Sequence, residues 1–343
     1  MANRQEQSGG ERSTNIQAMG DVQVGLSYAE AKQIALDVFD ANFYRLSAAA
    51  AQTAQQRAEK LIEAYLERLQ AEAPAGLEEM RDPDMQYALY TAQREYARQG
   101  DDELGDLLVQ LLVDRAQRGE RGLQQIVLNE SLSVAAKLTS DQLDALTLVF
   151  VLRYTRRHNL TSLDTLGAYL DGMVLPFVLG ASEKQSAYQH LEYAGCGTIS
   201  IGSTTIERAF RKLYAGLFSG GLSSEKVTDF PEDHRSLLVP CLQDPDKLQI
   251  GVTDGETLDK LLQERGATPE ATAFVKQAFE EQTMAEADVR GAVLKVRPGA
   301  EALFKKWSDT QMKHLTLTSV GIAIGHANLQ RKTGEKLDLS LWI

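Results

Sequence analysis

The chain has 343 residues, 43% hydrophobic and 24% charged, with 48 acidic side chains against 36 Lys and Arg and a formal net charge of −12. This is the composition of a soluble globular protein with room for two or three domains, and its acidity argues against a surface dominated by phosphate contacts. Two cysteines, Cys196 and Cys241, are too few for a disulfide framework, no apolar run approaches the roughly 18 residues of a membrane span, and the first residues lack a signal-peptide core. A cytoplasmic location and no membrane contact are therefore expected.

Residues 1–25 are polar, rich in Gly and Asn, and carry isolated β-formers. Ile16, Val22 and Val24 fall on one alternating face, while Asn15, Gln17 and Gln23 can form amide ladders. So small a strand or hairpin is not stable alone, but several copies can stabilise one another by edge pairing. The segment reads as an assembly tag, with Asn15, Ile16, Gln17, Val22 and Val24 as oligomerisation residues. A disordered tail is the competing reading.

Ser27-Tyr28-Ala29-Glu30 is a capping box that opens a helical pattern running to about Gln70, with a break near Ser47. Its apolar stripe (Leu36, Phe39, Phe43, Leu46, Ala50, Ala54, Ala58, Leu61, Tyr65 and Leu69) is alanine in the middle, which lets a neighbouring helix approach closely. Unbroken, the helix would span on the order of 60 Å. Pro74-Ala75-Gly76 ends it. Shorter helices are expected over 77–98, 102–118, 122–138, 140–158 and 162–179. The fourth begins with the capping box Thr139-x-x-Gln142 and has an apolar flank that places it centrally in a bundle. A further pair, 182–194 and 204–218, flanks a Gly-rich loop.

Residues 220–246, with Pro231, Pro240 and Pro245, read as a linker or docked loop between a helical domain (26–219) and a small α+β domain (247–343). In the latter, a strand is expected at 248–252, then helices at 254–265, 269–282 and 299–309. After Leu315-Thr316-Leu317-Thr318 comes a helix at 319–332, closed by Gly334. The alternating Leu337-Asp338-Leu339-Ser340-Leu341-Trp342-Ile343 is expected as a final strand, pairing with 248–252. The fold class is thus mainly α: a helical array with a long N-terminal helix, a short N-terminal β-segment and a small C-terminal α+β, winged-helix-like domain.

Chemistry-bearing patterns are few. Gly197-Thr198-Ile199-Ser200-Ile201-Gly202-Ser203-Thr204 has the glycine spacing of a phosphate-binding loop, but Ser203 stands where such a loop needs its lysine, so a turn with helix-capping residues is the reading. His190, Cys196, His234 and Cys241 are zinc-ligand types, yet His-x5-Cys and His-x6-Cys match no metal knuckle, and unligated buried thiols are preferred. No Gly-x-Ser-x-Gly or comparable signature marks a nucleophile, and His326 reads as a packed or surface helix residue rather than a general base. No catalytic, cofactor or metal residue is assigned. Arg153, Arg156 and Arg157, with Tyr154 and His158 beside them, form the strongest basic cluster. Compensation of a helix dipole explains it, and contact with an anion or nucleic acid is the sharper alternative, with Lys305 and Lys306 as weaker candidates.

The opening Gln5-x-Gln7-x-Gly9-Gly10-x-x-Ser13-Thr14-Asn15-Ile16-Gln17-Ala18-x-Gly20-Asp21 resembles a tag carried by several otherwise different bacterial proteins. Followed by Leu26-Ser27-Tyr28 and ended by Leu337-Asp338-Leu339-Ser340-Leu341-Trp342-Ile343, it is similar to one uncharacterised bacterial family of this length. The tag's presence on conflict and defence proteins implies an anti-phage role, and the resemblance implies no activity. The leading expectation is a non-enzymatic, self-associating interaction, scaffold or sensor protein that forms homo-oligomers and takes a partner protein. A nucleic-acid-binding regulator, with Lys305, Lys306, Arg331 and Lys332 on phosphates, and a hydrolase or nuclease built from scattered carboxylates are the alternatives.

Overall fold

A computed structural model describes residues 26–42, 47–117 and 122–343. The expected oligomerisation residues Asn15, Ile16, Gln17, Val22 and Val24 lie outside them, as do Phe43 and Leu46. The chain is mainly α. No described helix is long and apolar enough to cross a membrane.

The Ser27 box forms as written, with Glu30 Oε2 accepting from the Ser27 amide at 2.9 Å, and opens α1 (Tyr28–Asn42). Ser47 is extended and precedes α2 (Ala48–Glu72), so the break falls where expected. Ala54 and Ala58 of the alanine stripe are buried against Phe39 and Ala97. The expected helix 77–98 is instead a 3-10 stretch, Pro74–Arg81, followed by α3 (Pro83–Gln99). Pro83 forces Asp82 out of the helical region, and the Asp82 carboxylate then caps α3 by accepting from the amides of Asp84 and Met85. Next come α4 (Asp102–Ala116), α5 (Leu123–Ala135) and α6 (Ser140–Tyr154), with Gln142 Oε1 returning to the Thr139 amide at 3.1 Å.

The expected helix 162–179 is interrupted. α7 (Leu163–Tyr169) passes through a π-helical turn, Leu170–Val174, into α8 (Leu175–Val178). Pro176 has no N–H to give the preceding turn, and the wider turn absorbs that loss. α9 (Gln185–Tyr193) leads to β1 (Gly197–Ile199) and α10 (Ile206–Leu213). The expected linker 220–246 holds α11 (Ser224–Thr228) and β2 (Leu238–Pro240), which pairs antiparallel with β3 (Leu248–Ile250). α12 (Gly255–Glu264), α13 (Pro269–Gln282), α14 (Glu286–Val296), α15 (Glu301–Asp309), β4 (Leu315–Leu317) and α16 (Ser319–Thr333) complete the chain. The sequence reading assigned nothing to α14.

Two expectations about the end of the chain are corrected. β4 pairs with β1, Gly197 opposite Leu317, while the expected final strand is extended chain closed by a 3-10 turn, Leu339–Leu341. Its alternation is overridden because Trp342 turns inward. The indole meets the Phe150 ring edge-on at 5.0 Å, and its Nε1–H donates to the Tyr154 carbonyl at 2.7 Å.

The large core runs from Leu26 through α2–α6 to Phe218 and takes up again at Val289, ending at Leu339. A smaller core holds Leu222, Phe230, Leu237, Ile250, Val275 and Phe279. Residues 247–343, expected as one unit, are thus shared between the two. α16 lies within the large core, buried continuously from Gly321 to Gln330, and packs on α4, α5 and α6. The close approach is written in glycine: a Cβ on Gly321 would stand 1.8 Å from the Cys196 carbonyl oxygen, and one on Gly325 3.1 Å from that of Leu146.

Because backbone rather than a mobile side chain opposes it, Gly321→Ala is expected to cost about 3 kcal/mol or more. Gly172→Ala, where the added carbon meets nothing within 4 Å, is expected to change stability by less than about 1 kcal/mol. Urea unfolding of both variants checks this, and equal midpoints would refute the packing.

Candidate functional site

A polar cleft of about 520 Å³ is lined by α10, α12, α13 and Arg156 beyond the end of α6. Its back wall is a tight seam. The Gly216 amide donates to the Thr253 carbonyl at 2.9 Å, and a Cβ on Gly216 would lie 2.0 Å from the Val252 oxygen. Gln249 and Gln243 close the seam by donating to the carbonyls of Gly216 and Leu217.

Asp254 is the polar centre of the cleft. Its carboxylate caps α12 by accepting from the Thr257 amide at 2.9 Å and takes a hydroxyl from Thr253 at 2.6 Å. Arg156 adds an ion pair with Asp254 and a second with Glu256 at 3.1 Å. The Asp254 side chain is only 4% exposed, so this charge depends on its partners to stay ionised out of water. Lys276 pairs with Asp259 at 2.8 Å, and Arg211 Nε donates to the Met284 carbonyl. Lys212 and Glu280 complete the charged rim around Leu213, Leu258 and Phe279. The cleft carries as many acids as bases, most of them committed to one another.

The basic cluster at the end of α6 therefore radiates inward along three lines. Arg153 donates to the Leu315 carbonyl of β4, Arg156 reaches α12, and Arg157 pairs with Glu335 at 2.6 Å. Tyr214 Oη accepts from the Arg157 amide, and His158 is exposed. Lys306 is tied to the Ala181 carbonyl at 2.7 Å, whereas Lys305 is exposed. Arg331 donates to Asn328 Oδ1 at 2.8 Å, and Lys332 pairs with the buried Asp144 at 2.6 Å.

The Gly197–Thr204 loop spends its amides internally. Ile199 donates to Glu192 Oε1, Ser200 to the His314 carbonyl and Thr204 to the Lys313 carbonyl, so these three N–H groups are turned from any phosphate. Thr205 caps α10 by accepting from the Arg208 amide.

His190, Cys196, His234 and Cys241 are not brought together, and no group of three or more His, Cys, Asp or Glu side chains among the described residues is placed to hold a metal ion. Cys196 is sealed in the large core, where burial pushes its thiol up to about 12, far from a reactive thiolate. Cys241 Sγ faces the Ser219 carbonyl at 3.4 Å, and His190 Nδ1 shares a hydrogen bond with Gln142.

Three groupings escaped the sequence reading: Asp254 with Arg156, Asp144 with Asn328 and Lys332, and Asp114 with His326. Only the first carried a local signal. Asp254-Gly255-Glu256-Thr257 has the form of a helix N-cap, although its arginine lies far upstream.

Residues 25–343 match a protein-family model whose description states no activity. No curated protein and no solved structure matches the chain.

Asp254→Ala removes a cap and strands Arg156 at once, for an expected loss of about 2–3 kcal/mol. Asp254→Asn keeps the cap and is expected to lose only about 1 kcal/mol. Chemical unfolding separates the two variants: equal losses would show that the cap contributes nothing, and no loss in Asp254→Asn would show that the ion pair contributes nothing.

Proposed function

We propose that this chain, which belongs to the family matched over residues 25–343, is a non-enzymatic interaction protein that self-associates through residues 1–25. The observation that supports the reading most directly is where that segment joins the body. Leu26 is 7% exposed within the large core, and its amide donates to the Glu78 carboxylate. The Ser27 box then starts α1 immediately. A pairing segment attached at such a pinned point transmits its geometry to the whole body, whereas one on a loose linker would only tether it.

The use of the cations supports the same reading. Arg153, Arg156, Arg157, Lys306, Arg331 and Lys332 are each engaged within the protein, which takes these six cations away from phosphate binding. Large apolar side chains do stand in solvent around α9 and β1, with Tyr193 88% and Ile201 102% exposed. Such residues are what protein interfaces use as anchors.

Light scattering on the full chain and on residues 26–343 tests the proposal. The full chain is expected to run as a multiple of its 37.8 kDa mass, and the truncated one as a monomer. An unchanged oligomeric state on deletion removes the role proposed for residues 1–25.

A further inference from the structure

We infer that His326 and Asp114 form a proton-operated latch that holds the C-terminal segment, residues 335–343, against the large core. His326 of α16 is 2% exposed. Its Nε2 lies 2.8 Å from the Leu337 carbonyl oxygen, and its Nδ1 lies 3.6 Å from Asp114 Oδ2 of α4. The other Asp114 oxygen belongs to α4 itself, where Gln110 sits one turn earlier on the same face. Neither Nδ1 nor Oδ2 has another hydrogen-bond partner, and both are sealed from solvent.

A carbonyl and a carboxylate are both acceptors, so the imidazole faces an acceptor on each side. A neutral ring carries one N–H and can satisfy only one of them. With the proton on Nε2, the Nδ1 lone pair confronts the Asp114 carboxylate; with it on Nδ1, the ring nitrogen confronts the Leu337 carbonyl. The imidazolium alone turns an N–H toward both. A cavity of about 350 Å³ adjoins the pair, but the sealed gap between the two atoms admits no water or ligand group, which leaves a proton as the bridging species.

The other charges near the ring are accounted for. The terminal segment brings Lys336, paired with Glu72 at 3.0 Å, and Asp338, whose Oδ1 accepts from the Ser340 amide. α5 and the end of α4 present the neutral Gln124 and Gln117, and α6 presents the Phe150 ring at 6.1 Å. On α16 itself, Arg331 and Lys332 are directed to Asn328 and Asp144. Asp114 is the acid that faces Nδ1.

The sign follows. The segment is held while the ring carries both N–H groups, and it loosens when one of them is given up at higher pH. Release of the segment would uncover Phe150 and the other apolar positions beneath Leu339 and Trp342, an apolar face that appears only when the latch opens.

Hydrogen exchange of the full chain, corrected for intrinsic rates, tests this at about pH 6 and about pH 8. In the wild type, protection over residues 335–343 is expected to fall about tenfold at the higher pH, the effect of one buried acceptor left without a donor. Asp114→Asn offers Nδ1 an amide N–H in place of a lone pair, so this variant is expected to keep its protection at both pH values. His326→Gln is expected to exchange fast at both. If the wild type shows no pH dependence, or if Asp114→Asn shows the same dependence as the wild type, the latch is overturned. Both outcomes can be read even if His326→Gln fails to fold.

Discussion

The structure depends on one constraint, the passage of the C-terminal helix through the middle of the bundle formed by the first half of the chain. α16 is covered on nearly every side, by α6 through Gly325, by the Cys196 turn through Gly321, and by α4 and α5 across its remaining flank. Its neighbour α6 is equally enclosed, with every residue from Gln142 to Leu152 buried. Two adjacent helices without a solvent face cannot be placed until both halves of the chain are present. The N-terminal bundle therefore has no finished core of its own, and closure of β1 on β4 becomes part of forming it.

A helix that is apolar all round is free to rotate or slide by a turn, because each position offers similar burial. α16 avoids this with a polar seam. Asn328, with no exposed surface, donates to Thr147 Oγ1 at 2.8 Å and to Asp144 Oδ1 at 3.3 Å, and Lys332 reaches the same Asp144 oxygen at 2.6 Å. Any other register would leave these groups buried and unpaired, at a cost of about 1–3 kcal/mol for each neutral group and more for Asp144. Arg115 plays a comparable part at the other end of the bundle. Its wholly buried guanidinium pairs with Asp84 at 2.8 Å and joins α4 to the start of α3.

What the sequence discloses and what it withholds divide along physical lines. Helix ends are local events, and Ser27 and Thr139 announce a start and Gly334 a stop because a cap is made within a few residues. Breaks that depend on proline were visible as residues but not as outcomes: Pro83 and Pro176 split helices that periodicity alone had drawn through them. The terminal alternation from Leu337 misled because it holds only as far as Leu339: the 3-10 turn then leaves Leu341 74% exposed and brings Trp342 inward in its place. The basic cluster was found, but its direction was not. Whether an arginine points to solvent or across the molecule to Asp254 is settled by residues far away in the chain.

That cluster is where the separate parts of the molecule meet. Over five consecutive residues at and just beyond the end of α6, Arg153 holds β4, Tyr154 receives the Trp342 indole on its carbonyl and accepts from the Leu317 amide on its hydroxyl, Arg156 holds the cap of α12, and Arg157 holds Glu335. The cleft and the terminal segment are thus fastened to the same few residues, where the chain leaves α6. Each attachment involves a partly buried charge or backbone carbonyl, so none can be given up without leaving a polar group to find a new partner.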